Sequence, residues 1–284
     1  MTPISINSLI SVIITAPVIN EATTISSHTC IAVVCFSQYR RQQAAEFSQL
    51  NSLPLLTAKS DAYDMLIIFH DDLIELFDRQ LNTAISIDFV KGALAHRQQF
   101  GGGRGQAIAK AMGLRSGITP NILDTTAGLA GDAFVLASLG CPMTLLERSP
   151  VIFKLLEDAI ERAVLNENFK AINQQGFNLI NIDANDYITQ QLAANTTRPD
   201  VIYIDPMYPE RKKTALVKKD MQILQRLHSK DENPEILLDN ALNFARKRVV
   251  VKRPIHAENL GHRTPSTCVK SKKTRYDIYA LEKM

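Results

Sequence analysis

Cysteine is scarce in this chain, and the few cysteines are scattered. Cys30, Cys35, Cys141 and Cys268 are all there are among 284 residues. Cys30 and Cys35 are too far apart for a CxxC motif, and no histidine cluster accompanies any of the four. The pattern predicts free thiols in a reducing compartment and indicates neither a disulfide framework nor a zinc site, so we expect no metal.

Long hydrophobic runs are also missing. The apolar stretch at 9–19 is shorter than the roughly 20 residues that span a bilayer. No lysine or arginine precedes it, as one would in a signal peptide. We therefore expect a cytoplasmic protein with no membrane partner, and we interpret residues 1–29 as a disordered extension.

The chain has almost no excess of charge of one sign, because its formal net charge is only +3. The basic residues are nevertheless concentrated. Residues 246–275 hold ten lysines and arginines against one acid, Glu258, and residues 211–219 hold five more. A solvated face is the alternative for each cluster alone. Two such clusters predict a basic surface suited to phosphate backbones.

Glycine is limited to 12 residues, yet four of them fall within 101–105. This stretch does not match a P-loop or a G-x-G-x-x-G fingerprint. The positions that would need Gly or Lys hold Gln106, Ala107 and Ile108. The preceding segment, 91–100, is more helical than extended, whereas both motifs require a strand there. The glycine cluster is therefore not a phosphate-binding loop.

From residue 118 onward, short apolar runs alternate with helical stretches, which predicts right-handed crossovers and a mostly parallel sheet. Gly140 is expected to end a helix over 131–140, and Ser149 to cap one that begins at Pro150. The predicted strands are 118–124, 142–147, 177–183, 200–205 (central, because it is apolar throughout) and 248–252, followed by an antiparallel edge pair at 268–273 and 275–282.

The upstream part has a different composition of elements. A strand at 31–36, a helix at 38–50 and further strands within 64–78 and 85–89 predict a small α+β domain over residues 30–90. The fold class is thus α/β, a Rossmann-like fold with a mostly parallel seven-stranded sheet and a small N-terminal α+β domain.

Acidic side chains follow several of the predicted parallel strands. Ligands of open α/β sheets bind beyond the carboxyl ends of the strands, and an unpaired buried carboxylate is costly. Such a set suits a ligand with a ribose, an adenine and a positive charge. The residues at these strand ends, the acids together with their non-acidic neighbours, are Asp124, Gly131, Asp132, Glu147, Arg148, Asn185, Asp186 and Asp205.

An NAD-dependent oxidoreductase is the natural rival, because Glu147 lies about 20 residues beyond a glycine turn, as the ribose-binding acid of dinucleotide enzymes does. It is disfavoured because GLAGD, residues 128–132, lacks the third glycine. Acids at four strand ends also suit a cation better than a pyrophosphate.

The pentapeptide DPMYP, residues 205–209, resembles the (Asp/Asn/Ser)-Pro-Pro-(Tyr/Phe) signature of amino-group methyltransferases. An exocyclic amine on a base is a poor nucleophile, because its lone pair is delocalised into the ring. Asp205 and the carbonyl of Pro206 can accept hydrogen bonds from its two N–H groups and so localise that lone pair. Tyr208 can stack on the base. Positioning then supplies much of the rate. We therefore expect Asp205, Pro206 and Tyr208 to be catalytic.

From about residue 30 to residue 280, the chain resembles the ribosomal RNA small subunit methyltransferase J family. The resemblance implies a class I methyltransferase fold and S-adenosyl-L-methionine as cofactor. It also implies methylation of the 2-amino group of a guanosine in 16S ribosomal RNA or the small ribosomal subunit. The matching blocks are 88–113, 124–141, 145–151, 203–219, 247–254 and 275–280.

By this resemblance the cofactor contacts fall on Gly131, Asp132, Glu147, Arg148, Asn185, Asp186 and Asp205. The chain departs from the family twice. It has GLAGDAF where the family usually has GLGRDAF, and Asn185 and Asp186 where the family usually has two serines. Another nucleic-acid amino-group methyltransferase and a non-catalytic RNA-binding protein with a vestigial pocket remain as alternatives.

The resemblance also gives the domain organisation a function. We expect a methyltransferase domain over 118–284 and a flexible, glycine-rich basic connector over 91–117. RNA is expected to lie on the two basic clusters, at the same end of the sheet as DPMYP. The connector, with Arg97, Arg104 and Lys110, is hypothesised to shape the RNA side of the pocket.

Overall fold

Two β-sheets organise the chain. The computed structural model describes residues 29–91, 103–206, 219–227 and 233–284. The disordered extension predicted over 1–29 therefore falls outside the described residues, apart from its last position. All four cysteines carry free thiols, as the sequence predicts.

The smaller, N-terminal sheet has five strands in the spatial order β2-β1-β3-β4-β5. β1 is parallel to β2 and β3, while β3, β4 and β5 form an antiparallel meander. The elements are β1 (Ile31–Cys35), α1 (Arg41–Leu50), β2 (Leu55–Leu56), β3 (Met65–Phe69), β4 (Ile74–Asp78) and β5 (Thr83–Ile85). The strand predicted over 85–89 ends at Ile85. Ile87 and Phe89 are nonetheless buried in the core, which explains the apolar pattern.

The larger sheet has seven strands in the order β11-β12-β10-β9-β6-β7-β8. Five strands are parallel, and β12 runs antiparallel to both of its neighbours. The fold prediction is confirmed, including the central position of β9 and the antiparallel edge pair. The strands are β6 (Ile122–Asp124), β7 (Met143–Leu146), β8 (Phe177–Ile180), β9 (Val201–Ile204), β10 (Arg248–Pro254), β11 (Thr267–Lys270) and β12 (Thr274–Ala280).

Seven helices accompany this sheet within the described residues. They are α2 (Ala107–Met112), α3 (Gly131–Ser138), α4 (Pro150–Ala163), α5 (Glu167–Gln174), α6 (Ala184–Ala193), α7 (Lys219–Leu227) and α8 (Pro234–Phe244). The predicted boundary residues are confirmed. The Ser149 hydroxyl accepts the Ile152 N–H at 3.4 Å, and Gly140, after α3, adopts φ +99°. A positive φ favours glycine, because it has no Cβ to clash there.

The two sheets share one hydrophobic core, and Asp158 on α4 joins them. Its carboxylate is only 1% exposed. It accepts hydrogen bonds from Arg40, from the backbone N–H of Ile74 at 3.1 Å and from Arg162 at 2.9 Å. Because an unpaired buried charge is costly, the bonds from Arg40 and Ile74 fix the N-terminal sheet against α4, while Arg162 pairs with Asp158 within the helix.

The part of the glycine-rich connector that is described is ordered. Ile108 and Met112 of α2 are buried in the core. Arg104 donates to the backbone carbonyls of Arg115 and Leu139, two residues that lead into the amino ends of β6 and β7. These contacts place the Arg104 guanidinium near the amino ends of β6 and β7, and the hypothesis that the connector shapes the RNA side of the pocket stays a prediction. Arg97 is outside the described residues.

The basic cluster at 246–275 is divided between the two edges of the sheet, which corrects the expectation that all of it lies at the same end of the sheet as DPMYP. Arg246 and Lys247 pair with Asp200 at the amino ends of β9 and β10. Arg275 is buried and pairs with Asp277. Lys270, Lys272 and Lys273 remain exposed near the β11–β12 turn. The pairing of Pro254 with Thr274 places that turn at the carboxyl end of β10.

Candidate active site at the carboxyl edge of the large sheet

A cavity of about 290 Å³ opens where β6, β7, β9 and β10 end. One part of its wall is acidic and another is apolar. The acidic side chains are Asp124, Asp132, Glu147, Asp183 and Asp205. The apolar side chains include Leu146, Ile182, Met221, Leu224 and Leu237. Concave pockets that are mostly apolar and carry a few convergent polar groups are typical ligand sites.

The loop after β6 is fixed by two adjacent threonines. The backbone N–H and the hydroxyl of Thr125 both bind the carbonyl of Tyr203, at 3.0 and 2.8 Å. The Thr126 hydroxyl accepts the backbone N–H of Asp205 at 2.7 Å and lies 3.4 Å from the Asp124 carboxylate. These bonds connect the ends of β6 and β9, so that Asp124 and Asp205 face the same space.

The turn into α3 contains the first departure from the family pattern. Ala130 adopts φ +54°, a left-handed conformation that is strained for a residue with a Cβ. Glycine therefore suits position 130, where the family has it. Gly131 begins α3 and lines the cavity together with Asp132. The N-terminal amides of α3 are thus directed towards the site.

Glu147 lies at the end of β7, as the sequence predicts. It is only 4% exposed. Its carboxylate accepts the backbone N–H groups of Gly128 at 3.0 Å and Ser149 at 2.7 Å. Carboxylate oxygens accept hydrogen bonds from hydroxyl groups as well as from N–H groups, and Glu147 lines the cavity. Arg148 also lines the cavity.

The structure separates the predicted pair Asn185 and Asp186. Asp183 caps α6 by accepting the Asn185 N–H at 2.8 Å, and both of these residues line the cavity. Asp186 stands within the first turn of that helix, is exposed and does not line the cavity. Asp183, one turn earlier, is the acid that the structure brings to the site in its place.

Lys252 is the main site residue that the sequence reasoning missed. Its ammonium group lies 2.7 Å from Asp205 Oδ2 and 3.0 Å from Asp132 Oδ2. The Tyr203 hydroxyl donates to the same oxygen of Asp132 at 2.7 Å. Asp132, Tyr203, Asp205 and Lys252 thus form one hydrogen-bonded cluster, which we call the Lys252 cluster.

Strand alternation places the Lys252 cluster on one face of the sheet. Val250 and Tyr203 are paired across β10 and β9, and both pack into the larger core. Residues two positions further along a strand point to the same face, so Lys252 and Asp205 stand side by side there. Lys252 stands at the end of the predicted strand 248–252, and that position is the signal that could have identified it. Its place within the basic cluster at 246–275 favours the other interpretation.

Burial changes the protonation of the acids around this lysine. It raises the pKa of Asp124 to about 7, while a hydrogen bond from Thr126 opposes the shift and the charges of Asp132 and Asp205 add to it. Partial burial also raises the pKa of Asp205, although the charge of Lys252 opposes this. Burial alone would lower the pKa of Lys252, but the carboxylates of Asp205 and Asp132 raise it above its usual value. Lys252 is therefore charged at neutral pH.

Helix α7 covers the cavity and is bound to the N-terminal sheet. Met221 and Leu224 line the cavity from this helix. On the other side, Arg226 donates to Asp78 at 3.1 Å, and Asp78 is fully buried at the end of β4. The N-terminal sheet thereby holds one wall of the site in place.

Of the three predicted catalytic residues, the structure describes two. Asp205 and Pro206 follow β9 directly and line the cavity. The side chain of Asp205 is 35% exposed, which leaves part of its carboxylate accessible. Tyr208 lies outside the described residues, as does most of the basic segment 211–219.

The site fits a cationic nucleoside cofactor. Glu147 is placed to accept hydrogen bonds from ribose hydroxyls, and the apolar wall suits a purine ring. The acids in and around the Lys252 cluster outnumber its single lysine, which favours a cationic ligand. Among the described residues, no three histidine, cysteine or acidic side chains are grouped to hold a metal ion. In the same residues no helix is long and apolar enough to cross a membrane.

Known proteins resemble this chain over most of its length. A family model of SAM-dependent methyltransferases matches residues 49–281. A ribosomal RNA small subunit methyltransferase J from Shewanella amazonensis is 47% identical over 227 residues, which cover 79% of this chain and 90% of the relative. The protein of the same name from Colwellia psychrerythraea is 47% identical over 255 residues, covering 87% and 89%.

A solved structure resembles the fold as well. The crystal structure of a SAM-dependent methyltransferase from Neisseria gonorrhoeae superposes with a TM-score of 0.69 at 29% identity, covering 88% of this chain and 96% of that one. These comparisons favour a methyltransferase over the NAD-dependent oxidoreductase.

Proposed function

Because the chain belongs to the ribosomal RNA small subunit methyltransferase J family of S-adenosylmethionine-dependent enzymes, we propose that it methylates the exocyclic 2-amino group of a guanosine in 16S ribosomal RNA. The observation that carries this proposal is the position of Asp205 and Pro206. They follow the central strand β9 and open into a cavity suited to a cationic nucleoside.

The residues that would hold the cofactor are those that line the cavity. Glu147 accepts the ribose hydroxyls. Asp132 and the N-terminus of α3, beginning at Gly131, hold the charged amino-acid portion, and Asn185 and Arg148 complete the polar rim. Asp186 is exposed, and we assign the neighbouring polar contact to Asp183. S-adenosylmethionine, when bound, supplies an electrophilic methyl group on a sulfonium sulfur.

The chain's own residues activate the amine. Its two N–H groups donate hydrogen bonds to the Asp205 carboxylate and to the carbonyl of Pro206. The nitrogen lone pair is then localised on the amine and less delocalised into the ring. Tyr208, two residues further along the chain, stacks on the base. Exact alignment of a weak nucleophile is worth several orders of magnitude in rate.

RNA reaches the pocket as an unstacked nucleotide, because the amine must enter the cavity to react. The exposed lysines near the β11–β12 turn stand at the same edge of the sheet as Asp205. Together with the basic segment 211–219, they are proposed to contact the phosphate backbone. Those three lysines are Lys270, Lys272 and Lys273.

The test measures methyl transfer from labelled S-adenosylmethionine to small ribosomal subunits from a strain that lacks the enzyme. Asp205→Ala should abolish transfer and keep the wild-type circular dichroism spectrum. Asp72→Ala, an exposed acid of the N-terminal sheet, is the matched control and should transfer at the wild-type rate. Unchanged transfer by Asp205→Ala would overturn the assigned role of this carboxylate.

A further inference from the structure

The Lys252 cluster has a consequence for how the methylated amine loses its proton. Resting on the proposed function, we propose that Lys252 is a positioning residue that holds Asp205 as a hydrogen-bond acceptor for the target amine and prevents it from acting as the base. Lys252 acts through Asp205 and is not itself required to touch the substrate.

Contacts on two sides fix the position of Asp205. The Lys252 ammonium binds Asp205 Oδ2 at 2.7 Å and Asp132 Oδ2 at 3.0 Å, so it bridges the sheet and the first turn of α3. The Asp205 backbone N–H is fixed separately by Thr126 at 2.7 Å. With both its main chain and Oδ2 held, the Asp205 carboxylate has a defined orientation. Its remaining oxygen, Oδ1, is the acceptor for the amine.

The charges around Asp205 support the same role for Lys252. Within the described part of the chain, four charged or titratable groups face Asp205. They are Lys252 on β10, Asp132 on α3, Asp124 on β6 and the hydroxyl of Tyr203 on β9. Lys252 is the one cation among them, and it is only 25% exposed. A carboxylate bound to an ammonium group is a weaker base than one without such a partner.

The chemical step then balances without a protein base. The amine lone pair forms the new N–C bond, and the C–S bond breaks with its electron pair remaining on sulfur. The surplus proton leaves the nitrogen for water. Asp205 stays an anion throughout and continues to accept a hydrogen bond from an N–H group of the amine. Without Lys252, the crowded acids would favour a protonated Asp205, which would donate a hydrogen bond where the amine needs an acceptor.

The experiment is a pH profile of single-turnover methyl transfer to small subunits between about pH 5.5 and pH 9. For Lys252→Met we expect a rate about 10- to 100-fold below wild type at pH 7, with the acid limb displaced upward by at least about one pH unit. The deficit should shrink to within about threefold at pH 9, where Asp205 is ionised again. Lys252→Arg, which keeps the charge, should retain the wild-type acid limb.

A second pair of variants separates acceptor from base. In Asp205→Asn the amide oxygen still accepts but cannot take up a proton, so we expect measurable transfer with a flat pH profile. Adding Lys252→Met to Asp205→Asn should then change the rate by less than about threefold. Binding of S-adenosylhomocysteine by each variant, measured by calorimetry, shows that the fold and the pocket are intact.

Two outcomes would overturn the proposal. One is a Lys252→Met profile that runs parallel to wild type at a lower rate, which is the behaviour of a residue with a structural role alone. The other is an inactive Asp205→Asn that still binds S-adenosylhomocysteine, which would make Asp205 the base. Should Lys252→Met not fold, Asp205→Asn and Lys252→Arg still decide the question. A methylated nucleoside other than N2-methylguanosine would refute the proposed function while leaving these pH comparisons valid.

Discussion

Replacement of Asp124 by asparagine should stabilise the protein at alkaline pH. Asp124 is 2% exposed, and burial raises its pKa from 3.8 to about 7. Between these two values the folded state binds the proton more tightly than the unfolded state does. The free energy of unfolding therefore falls as pH rises through this window. Asparagine has no such titration, and its amide oxygen can still accept the backbone N–H of Thr126, which lies 3.0 Å from Asp124 Oδ1.

The magnitude follows from the two pKa values. Linkage makes the advantage of Asp124→Asn over wild type grow by about 2.5 kcal/mol between pH 5 and pH 8. Urea unfolding at several pH values measures this difference directly, provided that the slope m is unchanged. Asp72→Asn, which alters an exposed acid, is the control and should show no such growth. An Asp124→Asn advantage that is equal at pH 5 and pH 8 would refute the assignment of Asp124 as a destabilised buried acid.

Three further predictions concern the covering helix, the turn into α3 and the basic edge. Arg226→Met removes the charged partner of buried Asp78, so α7 should be held less firmly. S-adenosylhomocysteine should then bind about tenfold more weakly by calorimetry, and equal affinity would contradict this. Ala130→Gly should raise the free energy of unfolding by about 0.5–1 kcal/mol in urea, and a loss of stability would show that the positive φ is not strained. A triple lysine-to-glutamine variant should lower the slope of log K for RNA binding against log salt concentration by about 2–3. An unchanged slope would exclude these side chains from the interface. Its substitutions are at Lys270, Lys272 and Lys273.

Sequence reasoning succeeded where local chemistry decides the structure. β9 was predictable because an uninterrupted apolar run suits a strand buried on both faces. The helix α4 was predictable because Ser149 and Pro150 are favourable at a helix start whatever the tertiary context. Asp205 and Glu147 were predictable as site residues, because the carboxyl ends of parallel strands share one edge.

Sequence reasoning failed where a side chain's partner is distant in the chain. Lys252 stands among basic residues in the sequence, and only the pairing of β10 with β9 places it beside Asp205. Arg246 belongs to the same basic cluster but lies at the opposite edge, paired with Asp200. Asp158 gave no signal as the link between the sheets, since its partner Arg40 is 118 positions away.

The proposed function depends above all on which atom of the RNA receives the methyl group. The most direct measurement is mass spectrometry of nucleosides from small subunits that have been incubated with the protein and isotopically labelled S-adenosylmethionine. We expect a single labelled product, N2-methylguanosine, which is absent when Asp205→Ala replaces the wild type. Label on a ribose, on a ring nitrogen or on the amino group of adenosine would contradict it.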